Sequence, residues 1–315
     1  MKENGNGEGL GSERDASIDL ILPAANEDRL ISFAIPQRHA RGRLVRLGPV
    51  LDAILANHAY PPRAAHVLAE ALTLTALLGA TLKDEGAQLT VQAQAQGGAI
   101  DLLVCDWRAG AVRGYLKHDA EKLAALPDDA DLAAIFGEGY LAITFDQAVS
   151  GERYQGIVPL TGTSIGEAAE NYFVQSEQLP SIVRLAVIDR GEAGHSAGGL
   201  LIQYLPDGEE GRERLHVRRD HPDWEHVAAL AATVTADELV DPSLALEALL
   251  WRLFNEDEVR VLPTLSLSRG CRCSPHHIRD VLMRFPESER EDMRDDDGRI
   301  SVDCAFCARS FAIDL

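Results

Sequence analysis

The segment QLTVQAQAQGGAIDLLVCDW, residues 88–107, decides the fold class. Leu89, Val91, Ala93 and Ala95 alternate with Thr90, Gln92, Gln94 and Gln96, the period of two that sets one face of a strand in a core and the other in water. Gly97-Gly98 turns the chain into AIDLLVCDW, so the two halves read as an antiparallel β-hairpin. Cys105 lies in the apolar second half and reads as a buried free thiol that packs as a small hydrophobe.

On the N-terminal side, PRAAHVLAEALTLTALLGATL (62–82) reads as a helix that starts on proline and is apolar nearly all round, which implies burial between other elements. His66 is read as a core or boundary histidine. A shorter helix is expected over 50–57, and apolar alternation such as ARGRLVRLG begins the folded region near Leu30. Residues 1–28 carry seven acids against two bases among Gly, Asn and Ser and read as a disordered tail. Its GNGEGLG follows no strand and opens no helix, so it is not a phosphate loop.

On the C-terminal side, strands are expected over 140–145 and 154–160. Ser164 and Glu167 then stand at capping-box spacing at the head of a helix. Apolar runs at 182–188 and 198–205 read as paired strands. Residues 29–206 are thus expected to form an α+β domain in which helices cover an N-terminal antiparallel sheet. Beyond it, a helical linker is expected over 207–265. It begins in the charged DGEEGRERLHVRRDHPDW and holds two helical stretches, WEHVAALAATV and DPSLALEALLWRLFNED. The second is read with Asp241 as N-cap, Pro242 at the first helical position, and an apolar face of Leu246, Leu249, Leu250 and Leu253 widened by Trp251 and Phe254. So short and apolar a helix needs a partner, and the α+β domain is the one available.

Residues 266–315 hold four of the five cysteines: Cys271 and Cys273 as C-x-C, then Cys304 and Cys307 as C-x-x-C. Two pairs on tight turns supply four thiolates to a tetrahedral zinc ion. A rival set would exchange one cysteine for His276 or His277. About 45 residues rarely fold on a core alone, so zinc would hold this small domain together. Thiolates are also the form that oxidants attack, so such a site serves either as structure alone or as a concealed oxidant sensor.

The chain has 315 residues and a formal charge of −20, which disfavours nucleic-acid binding and favours solubility. No signal pattern or membrane-length apolar run is present, so a cytoplasmic location is expected. Acids and histidines are scattered without a nucleophile elbow, a phosphate loop or a zinc with an open coordination position, and an enzyme is not expected. A constitutive zinc-ribbon adaptor for a protein or nucleic-acid partner is the alternative reading.

The two cysteine pairs, with GERYQGIVPLTG (151–162), YFVQSEQLP (172–180), AGGLLIQYLP (197–206) and LWRLFNEDEV (250–259), closely resemble the 33 kDa heat-shock protein family of redox-regulated chaperones. The resemblance runs from about Leu30 to Phe311. It implies an ATP-independent holdase for unfolding client proteins, inactive while reduced and zinc-bound and activated by oxidants with heat. It further implies Cys271, Cys273, Cys304 and Cys307 as ligands of one Zn2+, and Cys271–Cys273 and Cys304–Cys307 disulfides after oxidation, the second pair forming first. A linker that unfolds on activation and a homodimeric oxidised state are also implied. Gly270 departs from the bulkier residue usual before the first cysteine.

Overall fold

The computed structural model describes residues 27–82, 84, 86–148, 151–205 and 220–314. The expected tail, except for its last two residues, and the first part of the expected linker, residues 207–219, lie outside them. In chain order the elements are β1 (Arg29–Ile35), β2 (Ala40–Leu47), α1 (Pro49–Leu55), α2 (Pro62–Gly79), β3 (Gln88–Gly97), β4 (Ile100–Arg108) and β5 (Ala111–His118). They continue with α3 (Ala120–Ala125), α4 (Leu132–Phe136), β6 (Gly137–Asp146), β7 (Arg153–Pro159), α5 (Ile165–Tyr172), β8 (Ser181–Asp189) and β9 (His195–Tyr204). Then come α6 (Pro222–Ala231), α7 (Ala236–Val240), α8 (Leu246–Phe254), β10 (Arg260–Val261), β11 (Leu265–Ser266) and β12 (Ser268–Arg269). The last elements are α9 (Pro275–Leu282), α10 (Glu287–Asp292), β13 (Ile300–Asp303) and β14 (Ser310–Ile313).

The class is α+β as expected, but β1–β12 form two six-stranded sheets rather than one, and β13 pairs with β14 in a separate two-stranded sheet. The first has the order β10-β1-β2-β9-β8, with β11 also on β1; the second has the order β12-β5-β4-β3-β6-β7. The hairpin of 88–107 forms the middle of the second sheet, in the register Leu89↔Trp107 to Gln94↔Leu102. Helix α2 lies between the sheets and packs on strands of both, which is why its apolar residues run round the whole cylinder. Its buried Thr73 and Thr75 hydroxyls donate to the Ala69 and Ala71 carbonyls at 2.7 and 2.6 Å. Cys105 is fully buried in this core, and His66 sits at its boundary, half exposed.

The other face of the first sheet is covered by α6, α7 and α8. Ile31, Phe33, Leu44, Leu200 and Ile202 meet Trp224, Leu239, Leu246, Leu249, Leu253 and Phe254 in a second core. With both faces covered, β9 is buried along nearly its whole length rather than on alternate residues. Two expectations for α8 are corrected. The helix begins after Ala245, because the Asp241 carboxylate instead accepts from the Ser243 N–H and hydroxyl at 2.8 and 2.7 Å and closes a turn. Trp251 is 68 % exposed and does not join the apolar face, whereas Phe254 is buried and lies 6.1 Å from Phe33. In α5, Ser164 caps the Glu167 N–H, but the Glu167 carboxylate accepts from Thr163, one residue outside the capping-box position.

Arg46 of β2 fastens this cover. It is completely buried, and its guanidinium donates to the carbonyls of Leu239, Leu244 and Glu238 at 2.8, 2.7 and 3.0 Å. The Ser196 hydroxyl and Arg190 both donate to the Val240 carbonyl. Gly198 of β9 lets α7 approach, since a Cβ there would stand 2.1 Å from the Leu239 oxygen. Gly198→Ala is therefore expected to weaken the α7 contact by roughly 1–3 kcal/mol. Amides of 236–254 should exchange faster while those of β3 and β4 stay protected.

Candidate metal centre

Cys271 and Cys273 lie between β12 and α9, and Cys304 and Cys307 in the turn between β13 and β14. Ser274 starts α9 by accepting from the His277 N–H at 3.1 Å, which holds the C-x-C against the helix head. The β13–β14 ladder pairs Ile300↔Ile313 through Asp303↔Ser310 and brings both ends of the C-x-x-C turn together. The turn closes with Cys304 N–H to the Arg309 carbonyl at 2.9 Å and Ala308 N–H to the Cys304 carbonyl at 2.8 Å.

The sulfurs converge. Cys271 Sγ is 3.2 Å from Cys273 Sγ and 3.6 Å from Cys304 Sγ, and Cys273 Sγ is 3.4 Å from Cys307 Sγ. All four lie within 4.8 Å of one another. A tetrahedral ion with metal–sulfur bonds of about 2.3 Å needs sulfurs on the order of 3.8 Å apart, so the set fits a thiophilic metal. Among the described residues this is the one cluster of three or more such ligands, and neither candidate histidine belongs to it. His276 is exposed and pairs with Asp280 at 3.1 Å.

The thiols are electrostatically unequal. Burial pushes Cys273 up to about 12, reinforced by hydrogen bonds with Cys271 and Cys307. Burial opposes ionisation of Cys307 too, but hydrogen bonds from the Arg309 guanidinium and the Arg309 N–H outweigh it and hold this thiol down to about 6. At Cys304 burial wins over the N–H groups of Cys307 and Phe306 and raises the thiol. Around the cluster, the described residues form a buried apolar core of just Leu282, Ile300 and Ile313.

The metal turn docks on the second sheet. Phe306, inside the C-x-x-C, lies under the Arg113 guanidinium at 3.9 Å and meets Tyr115 edge-on at 4.9 Å. Arg272, inside the C-x-C, donates to Gln88 Oε1 at 2.7 Å and to Asp106 Oδ2 at 3.4 Å. Neither residue stands out by periodicity or charge in the sequence; their positions between the paired cysteines are the signal that marks them. A cleft of about 640 Å³ lined by Arg113, Arg272, Cys273, Cys304 and Phe306 gives small molecules a route to the sulfurs.

The comparisons agree with this architecture. The family model described as Hsp33 protein matches residues 28–314. The chain belongs to the Hsp33 family. The "33 kDa chaperonin" of Caulobacter vibrioides is 40 % identical over 294 residues, covering 91 % of this chain and 95 % of that protein. That of Yersinia pestis is 36 % identical over 295 residues, covering 92 % and 93 %. The crystal structure of the Thermotoga maritima 33 kDa chaperonin, a heat shock protein 33 homolog, superposes with a TM-score of 0.75 at 23 % identity over 91 % of this chain and 95 % of that one. Hsp33 proteins are chaperones, not enzymes. No helix among the described residues is long and apolar enough to cross a membrane.

In this Hsp33 chain Ala308 takes the left-handed conformation, φ 52°, directly after the metal turn. That costs a residue with a Cβ roughly 1 kcal/mol or more. Glycine recovers part of the cost against its own entropy in the unfolded chain. Ala308→Gly is expected to raise metal retention against a competing chelator by up to about fivefold.

Proposed function

We propose that this Hsp33 protein is a redox-regulated, ATP-independent holdase of the cytoplasm, inactive when reduced and zinc-bound. Cys271, Cys273, Cys304 and Cys307 hold one Zn2+. Peroxide converts each dithiol to a disulfide, Cys271 with Cys273 and Cys304 with Cys307, consuming one H2O2 and yielding two H2O per pair while zinc departs. The small C-terminal domain, 266–315, then loses the metal that outweighs its three-residue core, and the linker, 207–265, detaches from the α+β domain, 29–206. Unfolding client proteins bind the uncovered apolar surface, and the active form is a homodimer. Neither nucleic acid nor membrane is a partner of a chain with a charge of −20.

The observation that carries this reading is the convergence of four thiols on a unit with almost no core of its own. The covalent continuation from Cys271 back into β12 and α8 supports it, because it ties the state of the sulfurs to the cover on the first sheet. The test is to assay reduced and peroxide-treated protein for zinc per chain, disulfide pairs by mass spectrometry, and suppression of aggregation of a heat-unfolding client. One zinc and weak suppression are expected before oxidation, no zinc and strong suppression after it. Equal suppression in both states refutes the switch.

A further inference from the structure

Between α8 and Cys271 the chain runs as an extended strap that closes one edge of each sheet. Residues 260–266 lie antiparallel along β1, pairing Ala34↔Arg260, Phe33↔Val261, Leu30↔Leu265 and Arg29↔Ser266. The strap then crosses to the second sheet, where β12 pairs in parallel with β5, Ser268↔Ala111 and Arg269↔Val112. Ser268 N–H donates to the Gly110 carbonyl at 3.0 Å, and Gly270 N–H to that of Val112 at 2.9 Å. Gly270 permits this approach, because a Cβ there would come within 2.6 Å of the Ala111 side chain. The next residue is Cys271.

The strap covers these edges but is weakly held. Each of its three pairings spans two residues, and Leu267 is its single buried side chain. The strands beneath are longer: seven residues in β1 and eight in β5. Farther along β5, the Tyr60 hydroxyl takes the place of a neighbouring strand, accepting from the Leu116 N–H at 3.1 Å and facing its carbonyl at 3.3 Å. Phe306 of the metal turn packs over Arg113 and Tyr115 between these two covers. The edge of β5 is thus closed by two devices, the strap and the Tyr60 hydroxyl, while Phe306 of the metal turn covers side chains on its face. Unmasked sheet edges pair with other chains.

We infer that the β1 and β5 edges covered by residues 260–270 are the docking site for an extended segment of an unfolding polypeptide, which adds as a strand when the strap leaves. This rests on the redox-holdase reading and specifies its binding site. The present occupant indicates the partner: an extended peptide held chiefly through its main chain, with most side chains in water. Main-chain pairing tolerates any sequence but requires an unfolded segment, because folded proteins keep such segments paired. Departure of α8 would add sockets for alternate side chains, since Phe33 of β1 now packs on Phe254.

The test uses a fluorescent 12-residue peptide of alternating Val and Lys, and a twin N-methylated throughout its central six residues, with the same side chains and charge but no central donors. Oxidised protein is expected to bind the peptide and to bind the twin at least tenfold more weakly; reduced protein should bind neither. Leu267→Asp, which loosens the strap without touching a cysteine, should bind the peptide while reduced and still holding zinc. Equal binding of peptide and twin overturns the inference. So does failure of Leu267→Asp to bind although hydrogen exchange shows 260–270 released. Client aggregation measured on the same oxidised sample separates the two proposals: suppression with equal peptide and twin binding removes the edge site and keeps the holdase. No change in suppression on oxidation removes the holdase, and the Leu267→Asp arm still decides the edges.

Discussion

Replacing Arg46 with methionine is expected to free α7 and α8 from the first sheet with all four cysteines reduced and the metal in place. The guanidinium is buried and bonded to three carbonyls of residues 238–244. Methionine fills much of the volume but leaves those carbonyls without donors, and breaking a buried charged network costs about 3–5 kcal/mol. At 1.4 kcal/mol per decade, amides of 236–254 should exchange roughly a hundredfold to several thousandfold faster. The strands behind them should change little, because the α2 core is independent of Arg46. If the cover holds the chaperone inactive, Arg46→Met suppresses client aggregation without oxidant. Arg46→Lys keeps the charge but reaches fewer carbonyls and should fall between.

Cys307→Ser is expected to act from the other end. The small unit has a buried apolar core of Leu282, Ile300 and Ile313, too small to hold so short a segment folded without a metal. A structural zinc contributes about 10–16 kcal/mol in small zinc peptides, so a metal held by these thiols would dominate the stability of the unit. With one of four thiolates gone, zinc per chain should fall from one to nearly none. Protection should vanish across α9, β13 and β14, and the α2 core should keep its melting temperature. Retained zinc and a folded C-terminal unit in this variant would remove Cys307 from the ligand set.

How much of this was legible in the sequence depends on how local the cause is. The 88–107 hairpin announces itself because alternation and Gly-Gly are local signals, and the cysteine pairs do so because spacing alone limits what they can do. The single expected sheet became two because α2, apolar all round, tells that it is enclosed but not by how many layers. Strand β5 went unread: Arg113, Gly114 and Lys117 interrupt its apolar run, and its place is fixed by pairing with β4. Asp241-Pro242-Ser243 carries the residues of a helix start and equally those of a turn, and contact with the first sheet selects the turn. Arg46 looks like one more charge in RLVRLG, since its carbonyl partners lie nearly two hundred positions away. The strap has no periodicity because sheet edges, not its own side chains, set its course.

The most direct test of the central claim, that a metal held by four thiols keeps the cover on the chaperone, is hydrogen exchange followed segment by segment during peroxide oxidation, with zinc release recorded on the same sample. The expected result is loss of protection in 271–314 together with zinc, followed by 222–270, while α2, β3 and β4 stay protected. Opening of 222–270 while zinc remains bound, or zinc loss that leaves 271–314 protected, would contradict it.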